Sequence, residues 1–496
     1  MDPSPALIRG HRISAWLFLR LLALAYLAAF AGFLAQAQGL VGPRGILPLA
    51  QTLHAVAAQY GAARFWALPT LSWINPLDPP LQSLAGAGVL LSLALFFGIA
   101  PLPCLAGLWL LYLSLVSDGQ DFMGFQWDGL LLEAGLLALL LAPWRLRSSL
   151  ARDPEPPRPA RWALLWLLFR LMFSSGVVKL ASGDAHWRDL SALDYHFWTQ
   201  PLPLWTSWYA SRMPGWFLHL SCLGVFAVEL ALPPLICHRR ARKPVFWGFS
   251  GLMVLIAATG NYCFFNLLAL ALCVLLLEDQ DWPAWLAARL KPQDLGSAGP
   301  KPIDAAGPQR VALGAGLLLV VLSVPPFAEQ LGLPMNWPAW IRVPEAAVAP
   351  LRSVNAYGLF AVMTTTRPEI ILEGSEDGDV WKEYGFRFKP GDPSLRPGLA
   401  APYQPRLDWQ LWFAAMGPVQ DSPWFGQLCY HLLRGTPEVL DLMGSNPFPQ
   451  KPPRYLRAQL YEYRFSDPKT LDTQGLWWQR HLKGEFCPVM SLRNPQ

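Results

Sequence analysis

The chain has 496 residues, of which 53% are hydrophobic and only 15% charged, a composition too apolar for an ordinary soluble enzyme of this length. Its net charge of +5 is small, and no basic tail or basic–aromatic stripe is present, which argues against a nucleic-acid partner. The 24 tryptophans and 48 prolines favour a lipid environment, since Trp prefers membrane interfaces and Pro is tolerated in spanning helices. We therefore expect an integral membrane protein in contact with the lipid bilayer.

Runs of about 15–25 apolar residues predict a polytopic α-helical membrane domain of about nine spans. These runs lie at 13–37, 82–100, 102–117, 127–144, 161–181, 215–237, 244–259, 262–278 and 310–326. The first run is too long for a cleaved signal peptide, and no small-residue cleavage site follows it, so we expect it to remain as an anchor. Eight spans then form a membrane domain over 1–278, and the last span lies at 310–326.

Basic residues cluster at three places between the predicted spans. Arg9 and Arg12 precede the first span, arginines recur through 145–161, and the stretch 239–243 separates the sixth span from the seventh. With nine spans all three clusters fall on one side of the membrane, which the positive-inside rule makes cytoplasmic. The segment 279–309 is then a cytoplasmic linker, and residues 340–496 form an extracytoplasmic domain.

Beyond residue 340 the sequence predicts an antiparallel β-rich domain with one main helix. Segments 369–372 and 380–388 flank Ser375-Glu376-Asp377-Gly378, a hairpin signal with acidic and Gly turn chemistry. Segments 408–416 and 455–465 predict further strands, and 424–443 has helical spacing. Aromatic residues are expected in the core of this domain, namely Trp381, Phe386, Trp409, Trp412 and Tyr463. The cysteines of this domain leave open either two free thiols or a Cys429–Cys487 disulfide.

Charged residues inside the predicted spans carry the strongest functional signal. Arg170 lies at the middle of the fifth span, Glu133 lies within the fourth, and Glu229 lies deep in the sixth. A central charge costs about 2.5–3.5 kcal/mol, so we expect Glu133 and Arg170 to pair. This pair either fixes helix register or belongs to a polar pocket. Lys179 and Ser175 share another face of the fifth helix, where Lys179 either snorkels to the interface or lines such a pocket.

The loop 182–214 is unusually polar and aromatic for a short connector. Trp187, Arg188, Asp189 and Asp194 lie on it, and Asp128 adds an acid on the same side of the membrane. The loop is either simply solvated or folded above the membrane. No residue spacing here is diagnostic of a metal site, and we predict no metal and no cofactor.

Several blocks of sequence resemble the lipase maturation factor family. They include Phe125-Gln126-Trp127-Asp128, Ser175-Gly176-Val177-Val178-Lys179, Thr259-Gly260-Asn261-Tyr262, Asn355-Ala356-Tyr357-Gly358-Leu359-Phe360 and Arg406-Leu407-Asp408-Trp409-Gln410. Animal members of this family are endoplasmic-reticulum membrane proteins that help secreted lipases fold and assemble into active dimers. The resemblance therefore implies a chaperone-like maturation factor whose partner is an exported client protein, a lipase in the animal family.

The family resemblance and the polar pattern together give the expected site residues. Candidates for a pocket or a client contact are Asp128, Ser175, Trp187, Arg188, Asp189, Asp194, Asn261, Asn266, Asn355 and Tyr357. The high Ala, Leu, Pro and Arg content suggests a bacterial source. We therefore expect a location in the bacterial inner membrane, with the N-terminus cytoplasmic and the C-terminal domain periplasmic.

A second resemblance covers the membrane half alone. The stretch Phe173-Ser174-Ser175-Gly176-Val177-Val178-Lys179, followed by Trp187, is similar to the vitamin K-dependent carboxylase superfamily. A lysine in the corresponding stretch acts there as the catalytic base, so the resemblance implies Lys179 as a candidate catalytic residue. The second lysine of that pattern is absent, because Val178 stands in its place. The alternative function is a membrane enzyme with an outward-facing pocket around Lys179.

Overall fold

A computed structural model describes residues 10–290, 306–333 and 335–492 of the chain. Arg9 and the part 291–305 of the predicted linker lie outside the described residues. Within the described part, a helix lies at each predicted span. These helices are α1 (Arg12–Leu34), α2 (Leu81–Phe96), α3 (Pro101–Asp118), α4 (Gln126–Leu141), α5 (Arg158–Ala181), α6 (Gly215–Phe226), α7 (Arg242–Thr259), α8 (Phe265–Cys273) and α9 (Ala306–Leu322).

Shorter elements connect these helices. A π-helical turn, Ala227–Ala231, continues α6. The other connecting helices are Ala37–Val41, Leu49–Tyr60, Arg64–Ala67, Ala185–Arg188, Ala192–Thr199, Trp205–Ala210, Ala284–Ala287, Val324–Gln330 and Ala339–Val348.

The prediction of a helical membrane protein is confirmed, but fewer helices than predicted are long and apolar enough to cross a bilayer. Four described segments are long and apolar enough to cross a bilayer by length and composition: α1, α3, α5 and Gln309–Gln330. The helices α2, α6 and α8 are apolar but shorter. One reason is that an apolar run in the sequence does not reveal breaks in the backbone. The run 262–278 contains Cys263, whose φ of 54° is left-handed, so α8 begins only at Phe265.

Helix α5 lies between two different sets of neighbours. It packs against α4 and α9, and also against the π-helical turn Ala227–Ala231. Residues nine positions apart on a helix point in opposite directions, because each residue turns the chain by about 100°. Arg170 and Lys179 therefore meet different partners, although both lie on α5.

The C-terminal region (residues 353–492) contains one four-stranded antiparallel sheet with the order β2-β1-β3-β4. Its strands are β1 (Pro368–Ser375), β2 (Lys382–Glu383), β3 (Tyr455–Phe465) and β4 (Trp478–Met490). Strand β1 pairs with β3 over its whole length. The predicted strand at 455–465 is confirmed as β3. The predicted strand at 380–388 shrinks to the two residues of β2, and β4 was not predicted.

The prediction of a strand at 408–416 is wrong, because this segment is helix α10 (Arg406–Ala415). Leu407, Trp409 and Leu411 alternate with polar residues, which indicated a strand. The helix is buried on almost all sides, however, and packs against both α4 and β1, so its apolar positions show no simple helical stripe.

The prediction of one main helix at 424–443 is also too simple. The segment contains helix α11 (Pro423–Arg434) and the short helix Pro437–Leu440, separated at Gly435. Gly435 has a φ of 63°, which ends α11 in the left-handed conformation that glycine adopts without strain. Cys429 on α11 and Cys487 on β4 are both free thiols.

The predicted core aromatics are buried with one exception. Phe386, Trp409, Trp412 and Tyr463 are buried, whereas Trp381 is half-buried beneath the Arg457 guanidinium. Trp409 packs against Trp127 of α4, with ring centroids 4.8 Å apart. The C-terminal region therefore shares its hydrophobic core with the membrane helices.

Candidate functional site

Two buried ion pairs lie on opposite sides of α5. Arg170 pairs with Glu133 of α4, and both side chains are almost fully buried. Lys179 pairs with Glu229 in the π-helical turn after α6, with Nζ 2.8 Å from Oε2. Burying a charge without a partner is costly, so each pair fixes the position of α5 against one neighbour.

The C-terminal region covers the Glu133–Arg170 pair. The Tyr357 hydroxyl donates a hydrogen bond to Glu133 Oε2 at 2.7 Å, and the Asn355 backbone N–H donates to the same oxygen at 3.3 Å. Arg170 Nη1 in turn donates to the Asn355 carbonyl at 2.9 Å. The pair therefore joins two membrane helices and one C-terminal segment.

A third buried ion pair connects the two regions directly. Arg406, at the start of α10, contacts both carboxylate oxygens of Asp128 on α4 at 3.1 Å each. Arg406 also donates to the Phe122 carbonyl at 2.7 Å, and the Tyr112 hydroxyl donates to Asp128. A bidentate arginine–carboxylate contact fixes the relative orientation of both groups, so α10 is held against α4.

Two amides attach the segment before α10. Asn261 Oδ1 accepts hydrogen bonds from the backbone N–H groups of Ala400 and Ala401, at 2.7 Å and 3.1 Å, while Asn261 Nδ2 donates to the Gly398 carbonyl at 2.8 Å. Gln36, just after α1, accepts from the Arg406 backbone N–H at 2.9 Å. The backbone N–H and C=O groups of this irregular segment have no partners in a helix or sheet, and the two side chains provide hydrogen bonds in their place.

Arg367, the residue directly before β1, connects the sheet to the loop 182–214. Its guanidinium donates to the carbonyls of Trp198 and Pro201, at 2.9 Å and 2.8 Å. It also lies 2.8 Å from Glu369, which contacts Lys389 at 3.0 Å. Burial lowers the pKa of Arg367 and the Glu369 carboxylate opposes that shift. The loop is thus folded above the membrane helices.

Lys179 is buried and does not snorkel. Its ammonium donates to Glu229 Oε2 and Oε1, at 2.8 Å and 3.0 Å, and to the Ser175 carbonyl at 2.9 Å. The Trp187 ring lies over it at 5.2 Å. All three N–H bonds are thus directed at acceptors, whereas a general base presents a lone pair to its substrate. This geometry gives the enzyme alternative no support.

The remaining predicted residues fall into two groups. Ser175 bonds to the Leu171 carbonyl within α5, Trp187 donates to the Phe360 carbonyl at 2.8 Å, and Asn266 is buried on α8. Arg188 and Asp189 are exposed, and Asp194 is partly exposed beside His219. Arg188 and Asp189 are thus the most exposed of the predicted contact residues, whereas Ser175, Asp194 and Asn355 are partly exposed.

Several of these contacts were not predicted from the sequence. The partner of Lys179 was Glu229, an acid whose position deep in a span already required a partner. The partner of Asp128 was Arg406, hidden because its segment was interpreted as a strand. The links made by Arg367 and Gln36 go mostly to backbone atoms, which carry no residue-type signal.

The fold and these contacts define a helical membrane protein whose C-terminal region is fastened to one end of the helix bundle by buried polar links. The chain belongs to the lipase maturation factor family. The lipase maturation factor transmembrane domain matches residues 13–284, and the lipase maturation factor C-terminal domain matches residues 353–488.

Relatives from both named branches of the family align along almost the whole chain. Lipase maturation factor 2 of Homo sapiens is 36% identical over 599 residues, covering 98% of this chain and 84% of that protein. Lipase maturation factor 1 of Bos taurus is 34% identical over 504 residues, covering 96% and 88%. The mouse protein of that name is 34% identical, covering 99% and 90%. No solved structure matches the chain.

Proposed function

We propose that this protein is a membrane-anchored maturation factor that assists the folding or assembly of exported client proteins. Its relatives are named for the maturation of lipases, so a lipase is the client class to test first. The family membership supports the general role. The structure of the C-terminal region suggests how a client protein is bound.

The observation that carries the proposal is the exposed edge strand β4. It has 13 residues, it ends the sheet order, and no other described strand pairs with its outer edge. Leu482 and Val489 are exposed on it. The free N–H and C=O groups of an edge strand are a template for an extended segment of another chain, and exposed apolar side chains add contact area.

The buried links between the two regions support the same proposal. Asp128–Arg406 and the contacts of Asn261 hold the C-terminal region at one end of the helices. A strand held at a constant distance from the bilayer can meet a client as it leaves the membrane, at a lower entropy cost than a strand on a free domain.

The finer topology belongs to this proposal as well. In it the nine predicted apolar segments, each of which overlaps one of the helices α1–α9, cross the membrane, the bacterial inner membrane is the location, and residues 340–496 are extracytoplasmic. The basic stretches at 145–161 and 239–243 support this orientation. Alkaline phosphatase fused after residue 340 is expected to be active, and fusions after residues 152 and 241 inactive. The reverse pattern contradicts the orientation.

The client role is tested by coexpression with a secreted lipase of the same host. Leu482→Lys combined with Val489→Lys places charges along β4 and should lower lipase activity per amount of lipase, because charged edge strands resist pairing. Leu395→Lys combined with Val380→Lys is the matched control, since both residues are about as exposed but lie outside β4. Equal lipase activity with both variants would exclude β4 as the client-binding strand.

A further inference from the structure

A cavity of about 700 Å³ lies between α6 and α7, and Phe360 of the C-terminal region lines part of it. Apolar side chains form most of its wall, and its polar end contains Lys179, Glu229 and His196. Specific ligand pockets typically measure about 300–1,000 Å³ and combine apolar walls with a few polar groups. The size and the lining of this cavity therefore suit a small amphiphile.

The cavity opens on an apolar outer surface of the helices. Trp247 and Leu255 of α7 line it and are both exposed, and Phe217 of α6 lines it from the other side. Large apolar side chains exposed on membrane helices contact the hydrocarbon of the bilayer. A ligand dissolved in the bilayer can thus enter between α6 and α7 without crossing water.

Two glycines keep this space open. A Cβ atom added to Gly224 of α6 or Gly251 of α7 would meet no atom within 4 Å, and both residues line the cavity. Independently, Glu229 lies in a π-helical turn, and such turns occur frequently at functional sites. The turn brings the Glu229 carboxylate to the inner end of the cavity.

The polar end favours a neutral ligand that donates a hydrogen bond. The three N–H bonds of Lys179 are already directed at Glu229 and Ser175, so the described residues that line the cavity offer no free cation to an anionic head group. A carboxylate accepts about four hydrogen bonds. Within the described residues, Glu229 accepts only from Lys179, which leaves acceptor capacity facing the cavity.

His196 adds a second uncharged polar group. Its Nε2 atom lies 3.4 Å from the Tyr262 hydroxyl, which donates to Gln200 at 2.8 Å. Burial, with a smaller contribution from Lys179, lowers the pKa of His196 to about 4, so the ring is neutral at pH 7. A neutral imidazole donates one hydrogen bond and accepts one, but it carries no charge that would favour an anion.

We propose that this cavity binds a neutral lipid with a hydroxyl-bearing head group, whose hydroxyl donates to Glu229 and whose chain lies between α6 and α7. This site is independent of the client role of β4.

The test uses the full chain in phosphatidylcholine nanodiscs and a monoacylglycerol that carries a diazirine on its acyl chain. After illumination, labelled peptides are expected from α6 and α7, and unlabelled monoacylglycerol should compete. Gly224→Phe combined with Gly251→Phe fills the cavity without touching the ion pair, and labelling should fall by about tenfold. The matched control is Gly86→Phe on α2, where a Cβ also meets no atom within 4 Å, and its labelling should equal that of the unchanged protein.

Head-group choice is tested with a fatty acid that carries the same diazirine. It should label at least about tenfold less than the monoacylglycerol, the difference of one hydrogen bond to a charged group. Equal labelling of the filled variant and the Gly86→Phe control would overturn the site. Labelling by the fatty acid as strong as that by the monoacylglycerol would overturn the neutral hydroxyl head group.

Discussion

The two ion pairs on α5 have the same chemistry but different surroundings. Glu133–Arg170 is covered by Asn355 and Tyr357, so the C-terminal region completes its hydrogen bonds. Lys179–Glu229 is made entirely by the membrane region and lines a cavity. On one side of α5, an ion pair therefore connects the membrane helices to the C-terminal region. On the other side, an ion pair forms the polar end of the cavity.

The surroundings of the two ion pairs show which buried charges only stabilise the fold and which ones a ligand can reach. A buried charge in a membrane helix is commonly treated as a sign of a functional pocket. Here the pair with the larger number of partners is closed by the chain itself, and the pair with unused acceptor capacity faces the cavity. The number of unused hydrogen-bond positions thus distinguishes the two pairs better than burial does.

The largest effect is expected from breaking the covered pair. Arg170→Met leaves Glu133 buried without its cation and should destabilise the protein by about 3–5 kcal/mol. Thermal unfolding in detergent measures this loss, and adding Glu133→Gln should restore part of it. Arg342→Met is the control, because Arg342 and Glu329 are both exposed and such pairs contribute about 0–1 kcal/mol. A loss no larger than that of Arg342→Met would contradict the connection through this ion pair.

Limited proteolysis distinguishes the ion pair that holds the C-terminal region in place from the pair that does not. Arg170→Met should increase trypsin cleavage of the C-terminal region, because Asn355 loses a donor. Lys179→Met also leaves a buried carboxylate, Glu229, and should reduce thermal stability. It should leave C-terminal cleavage unchanged, since Lys179 makes no hydrogen bond to that region among the described residues. Equal cleavage of both variants would remove the distinction.

A smaller loss is expected at Asn261. Asn261→Ala leaves the buried N–H of Ala400 without its acceptor, together with the Ala401 N–H and the Gly398 carbonyl. An unsatisfied buried group costs about 1–3 kcal/mol, so we expect a loss of about 2–3 kcal/mol in thermal unfolding. Asn446→Ala is the comparison, because its bonds are local to Phe448. An equal loss from both would contradict a joining role for Asn261.

A single hydroxyl should matter less. Tyr357→Phe removes one hydrogen bond to Glu133 while the ring stays in place, and we expect a loss of about 1–2 kcal/mol. Tyr430→Phe removes a hydroxyl whose partner is the exposed Arg434 and should change stability by less than about 0.5 kcal/mol. The two variants unfolding at the same temperature would argue against the Tyr357–Glu133 contact.

The smallest effect concerns pH. The folded pKa of His196, about 4, lies below its ordinary value of 6.5. The unfolded chain therefore binds more protons between these values, so the contribution of neutral His196 is present above pH 6.5 and is lost as pH falls towards 4. The Tyr262 hydroxyl and the Phe360 ring pack against the His196 ring, and the positive charge of Lys179 adds to the lowering of its pKa. His196→Gln should show a smaller fall in unfolding temperature from pH 7 to pH 5, and an unchanged fall would contradict the assignment.

The sequence predicted those features that depend on residue type at one position. A charge in the middle of a span requires a partner, and consecutive spans are usual neighbours, so Glu133 and Arg170 could be matched without a structure. The alternation in 455–465 likewise predicted β3, because one face of that strand packs on the core and the other does not.

The features that could not be predicted from the sequence depend on contacts between segments that are distant in the chain. Helix α10 is buried by α4 on one side and β1 on the other, so its pattern resembled a strand. Strand β4 is exposed along most of its length and shows no regular alternation. Asn261 and Asn355 were recognised within family blocks, but their partners are mostly backbone atoms, which every residue has. Their role as joints therefore became visible only in three dimensions.

The attachment of the C-terminal region to the membrane helices is tested most directly by hydrogen exchange of the segment 398–408 in the full chain. The N–H groups of Ala400, Ala401 and Arg406 donate to side chains of Asn261 and Gln36, so peptides from this segment should exchange slowly. Asn261→Ala should accelerate their exchange by about tenfold or more, since it opens the local contacts that protect them. Exchange in the unchanged protein as fast as that of an exposed loop would show that the two regions are not joined in this way.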